Sequence, residues 1–284
     1  MTSHLIGLIG SGVGPSLSPA LHEREADHHG LRYLYRIIDI TPLGLDAAAA
    51  GGLVRTARRL GYTGLNITHP CKQTVIEHLD ELSPDAATLG AVNTVTFDGE
   101  RAIGHNTDWT GFARSFTRGL PDAATRRIVQ LGAGGAGAAV GHALLTLGAG
   151  QIVLADALPA RAESLATELE RRFGSGRARA VPLGELAGLL GGADGLVNAT
   201  PTGMAAYPGT PVPAELLHPG LWVADVVYRP LETELLRRAR RLGCRTLDGG
   251  GMVVFQAAHS LRLFTGVEPD TERMLAHLTD LVAV

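Results

Sequence analysis

Apolar and polar positions follow two rhythms along this chain, and the switches between them mark its elements. Alternating or unbroken apolar stretches predict strands at residues 5–9, 33–40 and 63–67. Apolar positions spaced near 3.6 residues predict helices over 19–29, 45–60 and from the segment Thr68-His-Pro-Cys-Lys72 to about residue 81. Pro19 suits the first position of its helix with Ser18 as the cap, and Gly61 stops the second helix. Stretches 92–97 and 101–104 flank Asp98-Gly99, a hairpin turn signal. A helix over 109–119 follows, then a polar, turn-forming segment at 121–125.

The second half repeats the alternation. Ile128, Val129 and Leu131 form a buried strand, and residues 138–147 a helix rich in small side chains. Strands at 151–156, 178–181, 195–198, 221–227 and 244–247 alternate with helices at 160–173, 183–190 and 233–242. Gly249-Gly-Gly251 reads as a hinge-like break before a helix over 252–264 that is apolar on most sides. Strand and helix in strict alternation imply mostly parallel, helix-covered sheets. The expectation is an α/β fold of two domains: an N-terminal, mostly parallel one over 1–108, completed by C-terminal helices in 250–284, and a Rossmann dinucleotide-binding domain over 109–249.

Composition narrows the function. With 284 residues and 45% hydrophobic content the chain can fill two modest cores. A net charge of −3 argues against nucleic acid or an anionic membrane as the main partner. No apolar run reaches membrane-spanning length, and the N-terminus lacks a basic region followed by a long apolar segment. Two cysteines without a C-x-x-C motif point to a reducing cytoplasm rather than a disulfide framework. Eleven histidines lack zinc-ligand spacing, so no metal is expected; His22 to Glu25 with His28 and His29 are read as the wet face of one helix.

The strongest local chemistry is the glycine loop. Gly132, Gly134 and Gly137 fall on the G-x-G-x-x-G spacing between a strand and a helix. With Ala133, Gly135 and Ala136 they form a cradle for a dinucleotide diphosphate at a helix N-terminus. Asp156 closes the next strand, where an acid can accept from an adenosine ribose.

Eight motifs in one order then resemble the shikimate dehydrogenase family, in particular its NAD-dependent quinate/shikimate branch. They are Ser16-Leu-Ser-Pro19, Asn66-Ile-Thr-His-Pro-Cys-Lys72, Gly90-Ala-Val-Asn-Thr94, Asn106-Thr-Asp108, the glycine loop, Asn198-Ala-Thr-Pro-Thr-Gly-Met204, Asp225-Val-Val-Tyr228 and Gly251-Met-Val-Val-Phe-Gln256. The resemblance implies a two-domain enzyme that oxidises one ring hydroxyl of a small cyclic hydroxy acid and passes hydride to a nicotinamide. It makes the first domain the substrate-binding one.

By the same resemblance Lys72 and Asp108 are the catalytic pair. The residue chemistry is compatible: Lys72 in the first turn of a helix has its positive charge disfavoured by the macrodipole, while a nearby carboxylate favours it. Taken alone, Lys72 better suits a solvated helix position and Asp108 the cap of the helix that begins at Trp109. The resemblance also implies Ser16, Ser18 and Tyr228 as donors to the substrate carboxylate, and Thr68, Asn93 and Gln256 as contacts to ring hydroxyls, with Asn66 in support. Ser18 has a local alternative as the cap before Pro19; Ser16 has none. Thr200, Met204, Val226 and Gly249 join the glycine loop as cofactor contacts.

NADP-using members of the family have a basic, Asn-Arg-Thr-like stretch after the second strand of the nucleotide domain, where this chain reads Ala155-Asp-Ala-Leu-Pro-Ala-Arg161. A carboxylate at Asp156 repels a 2′-phosphate, so NAD is the expected cofactor. Arg161 either reaches the cofactor or is an exposed residue of a helix's first turn. Ser18, where quinate-using members commonly have threonine, makes shikimate the first substrate and quinate the second. Alternatives are an NADP-dependent biosynthetic enzyme, a dehydrogenase of an amino analogue, and a non-catalytic sensor. A monomer or homodimer that closes about the segments near Trp109 and 249–251 is expected.

Overall fold

Each half of the alternating pattern builds its own sheet; the structure, a computed structural model, describes residues 3–283. Two compact units result, Met1–Thr107 with Val254–Val284, and Asp108–Val253. The first contains β1 (Ser3–Gly10), α1 (Ser18–His28), β2 (Arg32–Asp39), α2 (Ala50–Arg59), β3 (Gly64–Ile67), α3 (Cys71–Thr74), β4 (Glu81–Leu82), α4 (Pro84–Leu89), β5 (Thr94–Asp98) and β6 (Arg101–His105). Its sheet runs β2-β1-β3-β5-β6-β4. β5 is antiparallel to both neighbours and the other pairings are parallel. Burial follows position: β3, central, is buried at every residue, whereas β2 at the edge buries Tyr33 and Tyr35 and exposes Arg32 and Leu34.

The second unit contains α5 (Asp108–Gly119), β7 (Arg127–Leu131), α6 (Gly135–Thr146), β8 (Gln151–Ala155), α7 (Pro159–Phe173), β9 (Ala178–Ala180), α8 (Leu186–Leu190), β10 (Gly195–Asn198), β11 (Trp222–Asp225), α9 (Glu234–Arg241) and β12 (Arg245–Leu247). Its six strands are all parallel, in the order β12-β11-β10-β7-β8-β9. Numbered within the unit this is 6-5-4-1-2-3, the doubly wound Rossmann arrangement with its switch point between β7 and β10. Apolar side chains cover both sheet faces, with Ile128, Ile152 and Leu154 under α6 and α7, and Val129, Val153 and Val223 on the other side. The chain ends with α10 (Gly250–Thr265) and α11 (Thr271–Val282), and from Val254 it belongs to the first unit again. Among the described residues no helix is long and apolar enough to cross a membrane.

Several expectations need correction. The helix predicted to run from Lys72 to residue 81 is one α-turn, followed by a short 3-10 turn at Ile76–His78 and then β4. A single turn has no aligned stack of peptides, so the macrodipole argument for Lys72 does not apply. The helix expected over 45–60 begins as a 3-10 turn at Ala47, where the Asp46 carboxylate accepts the Ala48 N–H, and becomes α-helical at Ala50. Ser18 is not a cap: it is the first residue of α1, and its N–H donates to the Ser16 hydroxyl oxygen. Glycines 250 and 251 are no break, because α10 starts at Gly250, whose N–H is accepted by Asp248.

The face of α1 expected to be wet is partly core. His22 is fully buried and Glu25 is 2% exposed. The reason is tertiary: Glu25 accepts from Nε and an NH2 group of Arg273 on α11, and from the Asp270 N–H at that helix's cap. His22 Nδ1 lies 2.9 Å from the Tyr33 hydroxyl.

Candidate active site

In the first unit, the pairing register gathers the motif residues at one end of the sheet. β1 and β3 are parallel, so the loops that follow them, with Ser16 and Ser18 in one and Thr68 to Lys72 in the other, leave the same edge. The Ser11 N–H donates to the His69 carbonyl and joins the two loops. Because β5 is antiparallel to β3, with Thr94 opposite Asn66, β5 starts at that edge. Thr94 also pairs with His105, which brings Asn106 and Thr107 there at the end of β6.

The side chains there form a buried polar network. The Tyr35 hydroxyl donates to Asn66 Oδ1 at 2.8 Å, and Asn66 Nδ2 donates to Thr94 Oγ1 at 3.1 Å. Asn93 Oδ1 accepts from Thr94 Oγ1 and from the Thr107 N–H, while its Nδ2 donates to Thr107 Oγ1 at 2.9 Å. Asn93 is therefore a fixed strut, and Asn66 supports it. Lys72 is half-buried in α3, and its carbonyl accepts the Val92 N–H one residue before Asn93. Asp108, 7% exposed, follows Thr107 directly and opens α5 itself. The unit boundary falls between those two residues, placing Lys72 in the first unit and Asp108 in the second.

Ser16 has a local role after all, accepting from Ser18, but its hydroxyl hydrogen remains available to donate. Thr68 is half-buried at the turn, with its carbonyl accepting the Cys71 N–H. Gln256 lies half-buried in α10. Asp39, unassigned from sequence, accepts the N–H groups of Gly12, Gly14 and Thr41 and so holds the loop that leads to Ser16. Desolvation pushes its carboxyl up, and those backbone N–H groups outweigh this and leave it below its usual value.

In the second unit the glycine loop sits at the switch point. Gly132 has φ +94°, and a side chain on it would meet the Ala199 carbonyl oxygen 2.5 Å away. A side chain on Gly137 would strike the Gly132 carbonyl, so here helix packs on strand at closest approach. Gly134 has open space around its Cα, and as the residue before α6 it supplies no side-chain cap. The arrangement leaves the first-turn N–H groups of α6, from Gly135 and Ala136, to an incoming diphosphate, so the residues fit a dinucleotide. Beneath the loop, buried Gln130 donates from Nε2 to the carbonyls of both Gly132 and Gly137, at 3.0 and 2.9 Å. Sequence reasoning missed it, although a glutamine inside an apolar strand is a visible signal.

Asp156 has an extra task. One oxygen accepts the Ala133 N–H at 2.7 Å and the other the Leu158 N–H at 2.8 Å, bracing the glycine loop against the end of β8. Arg161 is exposed in the first turn of α7. The loops after β10 and β11 contain Thr200, Met204 and Val226; the Met204 side chain is exposed and the other two are half-buried. Tyr228 is half-buried, and burial pushes its phenol above the usual value, which keeps it a neutral donor. Gly249, proposed as a hinge and cofactor contact, is buried against the Val226 carbonyl, which leaves no room for a side chain. Asp225, in the same motif as Tyr228, is buried beside these loops.

Comparisons with known proteins identify what the chain is similar to. A family model described as the shikimate dehydrogenase substrate binding domain matches residues 8–95, and one described as the shikimate 5′-dehydrogenase C-terminal domain matches residues 249–279. The chain is 70% identical over 279 residues to the shikimate dehydrogenase (NADP(+)) of Streptomyces avermitilis, covering 98% of this chain and 96% of that one. It is 49% identical over 281 residues to the quinate/shikimate dehydrogenase (NAD(+)) of Corynebacterium efficiens, covering 98% and 99%. Among solved structures, the quinate dehydrogenase from Corynebacterium glutamicum in complex with NAD matches with a TM-score of 0.92 at 46% identity, over 98% of this chain and 99% of that one.

Proposed function

The chain belongs to the shikimate dehydrogenase family, and on that premise we propose that it oxidises a ring hydroxyl of shikimate, with quinate as a second substrate, using NAD. The dinucleotide, when bound, accepts the hydride. Lys72 takes the hydroxyl proton during oxidation and returns it during reduction, and Asp108 orients the lysine and the hydroxyl. Asn93 and Asn66, locked by the network around Thr94 and Thr107, hold the floor of the site, so that little reorganisation accompanies the reaction. Ser16, Ser18 and Tyr228 take the ring carboxylate through charge-assisted hydrogen bonds. Thr68 and Gln256 address the remaining hydroxyls. In this reading the first unit binds the ring acid and the second the dinucleotide.

The observation behind the choice of NAD is Asp156 at the end of β8, followed by Ala157 and Leu158 with no basic side chain between it and α7. Each of its oxygens spends one lone pair on a backbone N–H and keeps another for a ribose hydroxyl. A 2′-phosphate there would face a carboxylate. The name of the Streptomyces relative favours a second reading, with NADP as the cofactor.

Substituting Asp156 by Ala separates the two readings. The account expects NAD to bind about tenfold more weakly and its advantage over NADP to shrink, because an acceptor and a like-charge barrier are removed together. Initial rates with both cofactors measure this, and cofactor kinetics unchanged from wild type would show that the ribose is held elsewhere.

A further inference from the structure

One buried acid takes no part in the chemistry above. Asp225 closes β11 with 2% of its surface exposed, and burial pushes its carboxyl up to about 6 against the hydrogen bonds that favour its charged form. A carboxyl desolvated to this degree costs stability unless hydrogen bonds replace its lost water. Its partners come from three segments. Asn198 Nδ2, at the end of β10, donates to Oδ1 at 3.0 Å, and the Val227 N–H, in the loop after β11, donates to the same oxygen at 3.0 Å. The Thr233 hydroxyl, which caps α9, donates to Oδ2 at 2.7 Å.

Asn198 extends this connection into its own loop. Its Nδ2 also donates to the Thr202 carbonyl at 2.9 Å, while Oδ1 accepts from the Thr200 N–H at 3.1 Å and the Thr200 hydroxyl at 2.6 Å. An ionised carboxylate only accepts, so Asp225 obliges the amide to face it with N–H and to turn its oxygen toward Thr200. Both loops leave the switch-point end of the sheet, and the Ala199 N–H donates to the Leu131 carbonyl at 2.7 Å, directly before the glycine loop.

We propose that Asp225, acting through Asn198, is a positioning residue that sets the loops at 199–204 and 226–228 to receive the nicotinamide half of the dinucleotide. The inference rests on the dehydrogenase reading and adds to it a determinant of cofactor affinity that touches neither reactant.

Titration calorimetry with NADH on wild type, D225A, D225N, N198A and the D225A/N198A double variant tests it, with melting temperatures recorded in parallel. D225A and N198A should each weaken binding about 10–100-fold, the cost of lost hydrogen bonds to a charged group. The double variant should be no more than about threefold weaker than either single one, since both break one connection. D225N should stay within about threefold of wild type, because its carbonyl accepts from Asn198 and Val227 while the Thr233 hydroxyl turns to accept. If D225A melts below the assay temperature, N198A and D225N still decide the matter: N198A must bind weakly and D225N well. Lowered melting temperatures with unchanged NADH affinity, additive losses, or D225N binding as poorly as D225A would each overturn the inference. Wild type that binds neither NADH nor NADPH would overturn the dehydrogenase reading itself, and the inference with it.

Discussion

Lys72→Ala is expected to lower kcat for shikimate oxidation by about 10²–10⁴-fold, the range that a positioned acid/base contributes. The dinucleotide KM should barely change, because Lys72 stands at the end of the first unit's sheet and the glycine loop lies in the second. Steady-state rates of both folded proteins check each point. Near-normal turnover in the variant would remove Lys72 from the chemistry. The substitution interrupts a side chain and leaves intact the backbone link from the Lys72 carbonyl to Val92, so loss of activity would report on the amine.

The second large effect is on stability. Burial lowers His22 to about 3 from 6.5, and the ring sits among Tyr33, Tyr35 and Phe264. The folded state holds this proton more weakly than the unfolded chain does. Its contribution is therefore fully present above 6.5 and is lost as pH falls toward 3, by at most roughly 5 kcal/mol. Between pH 7 and 5 the loss from this residue should be about 2 kcal/mol. Glu25 behaves differently. Burial raises its carboxyl, but Arg273, the Asp270 N–H and His29 together hold it below its usual value, so its contribution fades only at lower pH. Urea unfolding at both pH values, in wild type and His22→Gln, isolates the histidine. The variant should be less stable at pH 7 and lose less on acidification, whereas an identical loss in both proteins would show that His22 is not the proton-linked group.

His22 also shows where sequence reading stopped. In the pattern of α1 a histidine and a glutamate look like solvent-facing residues; Tyr33 and Tyr35 of β2 with Phe264 of α10 cover His22, and α11 pairs with Glu25. That helix left signals that went unused: Asp270 as a cap, then Met274, His277 and Leu278 at helical spacing on the buried side. Strands read well where flanking residues forced a decision. Gly195–Asn198 matches to the residue, because a short apolar run ends at an asparagine that turns the chain. The segment after Lys72 read poorly, because its apolar residues suit one helix as well as a turn, a 3-10 turn and a strand.

The same contrast holds at the site. Glycine spacing predicted the loop at the switch point, where Gly132 and Gly137 each answer a local steric demand. Asp39, Gln130 and Asp225 hold other segments, and such partners become identifiable only after folding, even where, as for Gln130, a polar residue stands out in an apolar strand. Asp156 was legible for its charge but not for its bond to Ala133, which depends on how β8 ends beside the glycine loop.

Initial rates of nicotinamide reduction by the purified protein, with shikimate as the varied substrate and NAD or NADP as the acceptor, test the account most directly. The account predicts shikimate-dependent reduction of NAD, with kcat/KM for NAD about tenfold or more above that for NADP, given the like-charge cost of a 2′-phosphate at Asp156. Faster turnover with NADP, or no reduction of either dinucleotide, would contradict it.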